Sequence, residues 1–240
     1  MKLSRCREAA SILIVLAVVG TVRAGGEEGR KAEHASQICR KAESQLEKGR
    51  LEEAEASFHR ALEAYPGSWA AHEGLGRVAM KTREYASALV HLAQAWTTFV
   101  EEQRRATDAQ VSAAIELDRV RQAYDDYAIR GPNIGCGHQT PNEFAHHVRL
   151  SSEIAPPPGL FFRMGVCLLH LGRAADAREA ILAEVQVTPE SAAPHLNLAV
   201  CELRLGRARE ALSELDTAVA LGADEPAGLR ADILATRDSE

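Results

Sequence analysis

Residues 158–223 decide the fold, and they read PGLFFRMGVCLLHLGRAADAREAILAEVQVTPESAAPHLNLAVCELRLGRAREALSELDTAVALGA. The second half of this stretch repeats the first half at an interval of 34 residues. The matched pairs are Phe161 with His195, Met164 with Leu198, Gly165 with Ala199, Leu168 with Glu202, Gly172 with Gly206, Ala177 with Ala211, Ile181 with Leu215 and Pro189 with Ala223. A fixed interval of this length predicts a solenoid.

Each unit has the pattern of two helices. Apolar residues recur at helical spacing over residues 160–171, and Gly172 then supplies the left-handed residue that ends a helix at low cost. A second helical pattern covers residues 174–187 and is stopped by Pro189. Gly165 and Ala177 stand where the two helices would cross, so we expect the backbones to approach closely there. The fold class predicted from these patterns is all-α.

The units resemble tetratricopeptide repeats, in which about 34 residues form a helix-turn-helix with set positions for large, small and Pro residues. The same motif occurs in a unit that starts near Ala35 and in another that starts at Trp69. The matching residues are Ala42, Gly49, Ala54, Phe58, Ala61 and Pro66 in the first unit, and Leu75, Gly76, Tyr85, Ala88, Leu92 and Ala95 in the second. The resemblance implies an α-solenoid with a right-handed superhelix. The sequence departs from the family pattern at Glu184, Glu202 and Val100.

The repeats divide the chain into segments. The predicted segments are a signal peptide (1–24), a flexible lead-in (25–34), repeats 1 and 2 (35–102), a degenerate helical unit with an inserted loop at 131–140 (103–157), repeats 3 and 4 (158–225), and a C-terminal capping helix with a tail (226–240). Ser68 is expected to cap the helix that begins at Trp69. Within the fourth segment, Thr107 with Gln110 resembles a capping box and predicts a long helix from about residue 108 to 129. The helix that begins at Tyr85 has no stop signal at the position of the closing Pro, so continuation past Glu101 is the alternative.

The N-terminus has the pattern of a secretory leader. Lys2, Arg5 and Arg7 precede an apolar run that is too short to span a bilayer comfortably, and a small residue at Ala24 follows. We therefore expect export to the periplasm or the extracellular space, with cleavage after Ala24; an uncleaved anchor is the alternative. Cleavage would change the formal net charge from −6 to −9. An acidic chain is a poor match for nucleic acid or an anionic membrane, and neither is predicted as a partner.

The inserted loop holds the residues for an alternative function. Cys136 and His138 lie in it, and His146 follows, which makes a metal- or thiol-dependent protein the second hypothesis. The spacing is a weak match to a tetrahedral zinc site, so no metal or other cofactor is predicted. Cys39, Cys167 and Cys201 complete the four Cys that remain after leader cleavage. Because Cys167 and Cys201 are equivalent in successive repeats, they lie too far apart to bridge, and we expect both to be small buried residues.

Catalytic motifs are absent from the sequence, and no enzyme is predicted: it contains no HExxH, GxSxG or phosphate-binding loop. The resemblance implies instead a concave groove, lined by the first helix of each unit, that binds a protein or peptide. The groove residues are Glu43, Glu73, Arg77, Phe162, Val166, Leu169, Leu196, Val200 and Leu203. The first pair of repeats would present charges and the second an apolar strip, which the inserted loop or the next helix could instead cover. Cys39 and Glu43 stand where chaperone-binding members hold a C-terminal carboxylate, which disfavours that class of partner.

The function predicted from the sequence is thus an exported, non-enzymatic scaffold that binds protein or peptide. Assembly of an envelope or secreted complex is the setting we expect for it.

Overall fold

The computed structural model describes residues 26–130 and 156–238. These residues form helices and turns, with no β-strand among them. The helices are α1 (Glu28–Glu47), α2 (Leu51–Ala64), α3 (Trp69–Lys81), α4 (Tyr85–Arg130), α5 (Leu160–His170), α6 (Ala174–Val187), α7 (Ala192–Arg204), α8 (Ala208–Ala220) and α9 (Leu229–Arg237). The predicted all-α fold is confirmed. The signal peptide and the inserted loop lie outside the described residues.

The described residues form two compact units, which divide between Ala95 and Trp96. In the first unit, α1, α2 and α3 pack around one buried apolar cluster. Its members are Ala35, Cys39, Ala42, Leu46, Ala54, Phe58, Ala61, Ala71, Leu75 and Val78. Since the members recur every three or four residues along each helix, the periodicity of the sequence defines this core.

In the second unit, α5 packs on α6, α7 packs on both α6 and α8, and α9 packs on α8. Ile233 of α9 is fully buried against Ala199 of α7 and Leu215 of α8. At the other end, the Phe161 ring lies 5.0 Å from that of Trp96 in α4, measured between centroids. A helix at each end therefore covers apolar surface that two helical hairpins alone would leave in water.

The turns within the hairpins have one recurrent conformation. Gly49, Gly172 and Gly206 take positive φ angles of 73°, 77° and 74°, as predicted for a residue that ends a helix in the left-handed region. Arg83, which occupies the equivalent position in the second repeat, takes the same conformation with φ 65°. A side chain at this position costs conformational energy, which Gly avoids.

Two helix boundaries differ from the predictions. Helix α1 starts at Glu28, so residues 28–34 of the predicted flexible lead-in are helical. An ion pair stabilises this first turn, since Lys31 lies 2.9 Å from Glu27 at helical spacing. Helix α4 runs unbroken for 46 residues, so the predicted helix start near residue 108 is wrong. The Thr107 hydroxyl donates to the Gln103 carbonyl inside the helix at 2.9 Å instead of capping a new one. No Gly or Pro occurs in α4, so nothing in its sequence stops it before Gly131.

Candidate peptide-binding surface

Two of the three predicted charges of the first unit form an ion pair with each other. Arg77 of α3 donates from Nη1 to Oε2 of Glu43 in α1 at 2.6 Å, and both side chains are about one-third exposed, at 32% and 36%. The two residues are 34 apart, so they occupy equivalent positions on neighbouring first helices. Glu73 lies one turn before Arg77 on α3 and is half-buried. The structure thus brings these residues together on α1 and α3, where two of them form an ion pair.

The six predicted apolar residues of the second unit lie in two matching rows. Each row has a spacing of four and then three residues, which places its members on one side of a helix. The rows are Phe162, Val166 and Leu169 on α5, and Leu196, Val200 and Leu203 on α7. Arg204 of α7 donates from Nη1 to the Leu169 carbonyl at 2.6 Å, which ties the ends of the two helices together. We call the surface of these six residues the apolar strip.

Only part of the apolar strip remains accessible. Leu169 is 6% exposed, so it belongs to the core more than to a binding surface. Leu196 and Leu203 are half-buried and pack against the cluster that contains Ile233 of α9. Packing within the unit therefore withdraws these two leucines in part from solvent. The remaining half-buried residues are Phe162, Val166 and Val200.

The two carboxylates that depart from the family pattern have structural contacts. Glu184 accepts hydrogen bonds from the backbone N–H groups of Gly159 at 2.6 Å and Phe162 at 3.2 Å. Its negative charge therefore satisfies donors at the N-terminus of α5, where helix dipole and free N–H groups favour an anion. This contact also fixes the backbone of Phe162, one residue of the apolar strip.

Glu202 is 3% exposed and is held by two arginines. Nε of Arg178 donates to its Oε1 at 2.6 Å, and Nη1 of Arg207 donates to its Oε2 at 3.4 Å. A buried carboxylate with paired charges is stable in place, whereas the loss of one partner would leave an unpaired charge. Glu184 and Glu202 therefore support the packing of α5 to α8, and neither is a free acid or base.

A family model described as tetratricopeptide repeat matches residues 39–109 and 162–226, which together are more than half of the chain. The chain belongs to the tetratricopeptide repeat family. Three features of the structure agree with this assignment. The hairpins stack, small residues stand where helices cross, and facing side chains are one repeat length apart. The predicted tetratricopeptide-type solenoid is confirmed.

Several solved structures match this tetratricopeptide protein at low sequence identity. The MamA RS-1 ArsTM double mutant is 14% identical with a TM-score of 0.49, and the match covers 88% of this chain and 94% of that one. PilF of Pseudomonas aeruginosa is 19% identical with a TM-score of 0.39, covering 87% and 88%. TTC0263, a protein of Thermus thermophilus, is 20% identical with a TM-score of 0.38, covering 85% and 98%. No curated protein sequence matches the chain. Proteins of the tetratricopeptide family are generally interaction scaffolds without catalytic activity, and the fold of this chain suggests a role in protein–protein interaction.

The three thiols in the described part of this tetratricopeptide protein are buried. Cys39, Cys167 and Cys201 are free and lie in the apolar core, as predicted for the latter two. Burial raises the pKa of the Cys167 thiol and that of the Cys201 thiol to about 11. A thiol that stays protonated at neutral pH is a poor nucleophile and metal ligand, so these residues act as small apolar side chains.

Two further predictions concern metal and membrane. Cys136, His138 and His146 lie outside the described residues, so the metal or thiol hypothesis stays a prediction. Within residues 26–130 and 156–238, no group of three or more His, Cys, Asp or Glu side chains is placed to hold a metal ion. Across the same residues, each helix is too short or too polar to cross a bilayer.

Sequence reasoning missed two arrangements in the packing of the helices. Arg204, which joins α7 to α5, carries no signal in the sequence because its acceptor is a backbone carbonyl. The other is a close approach of His72 and His91, which do not stand at equivalent positions of successive repeats. Only the packing of α3 on α4 brings these two rings together.

Proposed function

We propose that this tetratricopeptide protein binds a segment of a partner protein on the accessible part of the apolar strip. The observation that carries the proposal is that Phe162, Val166 and Val200 stay half-exposed on the first helices, although neighbouring positions of the same helices are fully buried. Partly exposed apolar side chains on rigid, adjacent helices form a surface that an amphipathic helix or an extended peptide can cover.

The chemistry of the strip favours apolar side chains in the ligand. A bound peptide would take apolar contacts from α5 and α7, and water would be released from both surfaces. The first unit is less suited to this role, because a ligand that used Glu43 or Arg77 would have to compete with their mutual ion pair. Glu43 would also repel a C-terminal carboxylate, which argues against recognition of a free chain end.

We further propose that the protein acts outside the cytoplasm, after cleavage at Ala24, in assembly of an envelope or secreted complex. The basic residues and the apolar run that precede Gly25 support this. Sequencing of the N-terminus of the native protein tests the proposal. A mature chain that begins at Gly25 supports it, and an intact Met1 in a protein recovered from the cytoplasm refutes it.

The binding surface is tested by comparing three variants of the full chain. Val166→Glu and Val200→Glu each place a charge in the apolar strip. Val219→Glu is the control: it places the same charge on α8, outside the strip, at a side chain that is 40% exposed. Peptides are first selected from a random displayed library on the wild-type protein, and their affinities for each variant are then measured by fluorescence anisotropy. Circular dichroism confirms that each variant is folded.

We expect the two strip variants to lose about tenfold or more in affinity, since a charge buried by the ligand lacks a partner, and Val219→Glu to bind as wild type does. Equal affinities of all three variants for the selected peptides would refute the strip as the binding surface. Loss of binding by Val219→Glu alone would place the binding site on the second helices of the repeats, such as α8, instead of on the apolar strip.

A further inference from the structure

Two histidines of the first unit lie face to face. His72 is on α3 and His91 is on α4, and their ring centroids are 6.3 Å apart with an angle of 28° between the ring planes. Close to the two rings, α3 and α4 pack tightly: a Cβ atom added at Gly76 of α3 would lie 2.8 Å from Cγ of Leu92 in α4. The two rings are therefore held at a packed helix interface, where a small change in their charge affects both helices.

One buried nitrogen of each ring favours the uncharged form. The Nδ1 atoms of His72 and His91 are both buried and have no hydrogen-bond partner. A proton added at Nδ1 would create an N–H group that is buried without an acceptor. The backbone of Pro66 raises the pKa of His72 and the side chain of Gln94 raises that of His91, and burial, which is the largest effect on each ring, lowers both.

Nearby charges act mostly in the same direction. Burial lowers the pKa of His72, and the adjacent charge of His91 and that of His59 on α2 lower it further. Burial also lowers the pKa of His91, as does the charge of His59, whereas Glu55 on α2 raises it. Glu55 and His59 are both exposed, so solvent screens the effects of both, and burial of the two rings dominates. Burial and the mutual repulsion of the imidazoles thus oppose protonation of either ring.

We propose that the His72–His91 pair is an acid-sensitive contact that holds α3 against α4 when both rings are neutral and loosens this interface when either ring takes up a proton. The direction follows from linkage. Because the folded state binds these protons less readily than the unfolded state, the interface keeps its full stability above the ordinary imidazole pKa of about 6.5 and loses stability as the pH falls below it. A scaffold with this contact would release the end of its first unit in an acidic compartment.

Hydrogen–deuterium exchange at pH 7.5 and pH 5.5, read by mass spectrometry on the full chain, tests the proposal. Exchange rates in α3 and the first three turns of α4 are corrected for the intrinsic pH dependence of amide exchange. The comparison is between wild type, the double variant His72→Gln plus His91→Gln, and His34→Gln, which changes an exposed histidine of α1.

We expect local opening in the wild type and in His34→Gln to become about tenfold more frequent at pH 5.5, and the double variant to change by less than about twofold. An equal acid response in all three proteins would overturn the proposal. Protection of α3 and α4 by added zinc at pH 7.5, in the wild type and not in the double variant, would also overturn it and identify the pair as part of a metal site.

A second measurement tests the proposal even if the double variant fails to fold, because it uses only the wild-type protein. Nuclear magnetic resonance of the imidazole carbons in the wild type follows the protonation of each ring directly. The proposal requires that His72 and His91 both titrate below the ordinary imidazole pKa of about 6.5. Titration of either ring at or above that value would overturn it.

Discussion

Replacement of Gly74 by Ala should destabilise the first unit, although Ala is the better helix former. A Cβ atom at position 74 of α3 would lie 2.2 Å from both Cε1 and Cζ of Phe58 in α2. Carbon atoms pack at about 3.5 to 4.0 Å, so the ring would have to retreat by more than about 1 Å. Phe58 is fully buried and has no open space to enter. Overpacking of this kind costs about 1–3 kcal/mol, which exceeds the gain of about 1 kcal/mol in helix propensity.

A double-mutant cycle measures this contact directly. Gly74→Ala, Phe58→Leu and the two together are unfolded in guanidinium chloride, and the free energy of unfolding is followed by circular dichroism. Phe58→Leu alone should also destabilise, because the smaller side chain leaves a cavity. The double variant should be less destabilised than the sum of the single changes by about 1 kcal/mol, since Leu frees the volume that the new methyl group needs.

Gly29→Ala is the matched control, because this glycine of α1 has nothing within 4 Å of the added Cβ. It should leave stability unchanged or raise it by up to about 1 kcal/mol. If Gly74→Ala is as stable as Gly29→Ala, or if the cycle shows no coupling with Phe58, then the close approach of α2 and α3 is not the reason for glycine at this position.

Three further outcomes follow from single contacts. Arg83→Gly should stabilise the protein by about 0.5–1 kcal/mol in thermal unfolding, because it removes a side chain from a φ of 65°, and an unchanged or lower stability would contradict this. Glu184→Gln should destabilise by about 1–2 kcal/mol in chemical unfolding, since one of two backbone donors loses its charged acceptor; wild-type stability would show that the cap contributes nothing. Cys167 and Cys201, with pKa values of about 11, should resist iodoacetamide at pH 8 in the native protein and react once it is unfolded; rapid native labelling would show that they are exposed.

The helices of the repeats could be predicted from the sequence because their signals are local. Spacings of three and four residues define the buried face of each helix. The second residue after the first helix of a unit takes a left-handed conformation, and it is Gly in three of the four hairpins. The predicted Ser68 cap is confirmed, since its hydroxyl accepts from the Ala71 N–H at 3.4 Å. These features depend on a few neighbouring residues, so one chain is enough to recognise them.

Helix ends without such signals were harder to predict. Glu28 begins a charged, Gly-containing segment that has a loop-like composition, yet an ion pair at helical spacing stabilises it as a helix. Thr107 and Gln110 match a cap, but a cap pattern inside an unbroken run of helix formers does not end the helix. Composition and short motifs are therefore weaker guides than the presence or absence of Gly and Pro.

The nine groove residues were predicted from their positions in the repeat. Position in the repeat does not determine how far a side chain is exposed to solvent. Leu169 has the same repeat position as Leu203, but Leu169 is buried and Leu203 is half-buried. Glu43 and Arg77 were predicted as separate groove charges, whereas α1 and α3 bring them within 2.6 Å. Exposure depends on which helix follows in the stack, and that information lies far along the chain.

The sequence by itself determined that this chain is a series of helical hairpins of the tetratricopeptide type, because periodicity and turn residues are local properties that recur with each repeat. Only the tertiary structure decided which side chains stay accessible, that Glu184 and Glu202 serve as buried caps and ion-pair partners, and that His72 meets His91. These contacts join residues on different helices, and the packing angle and offset of the helices set them, which no pattern within one helix encodes.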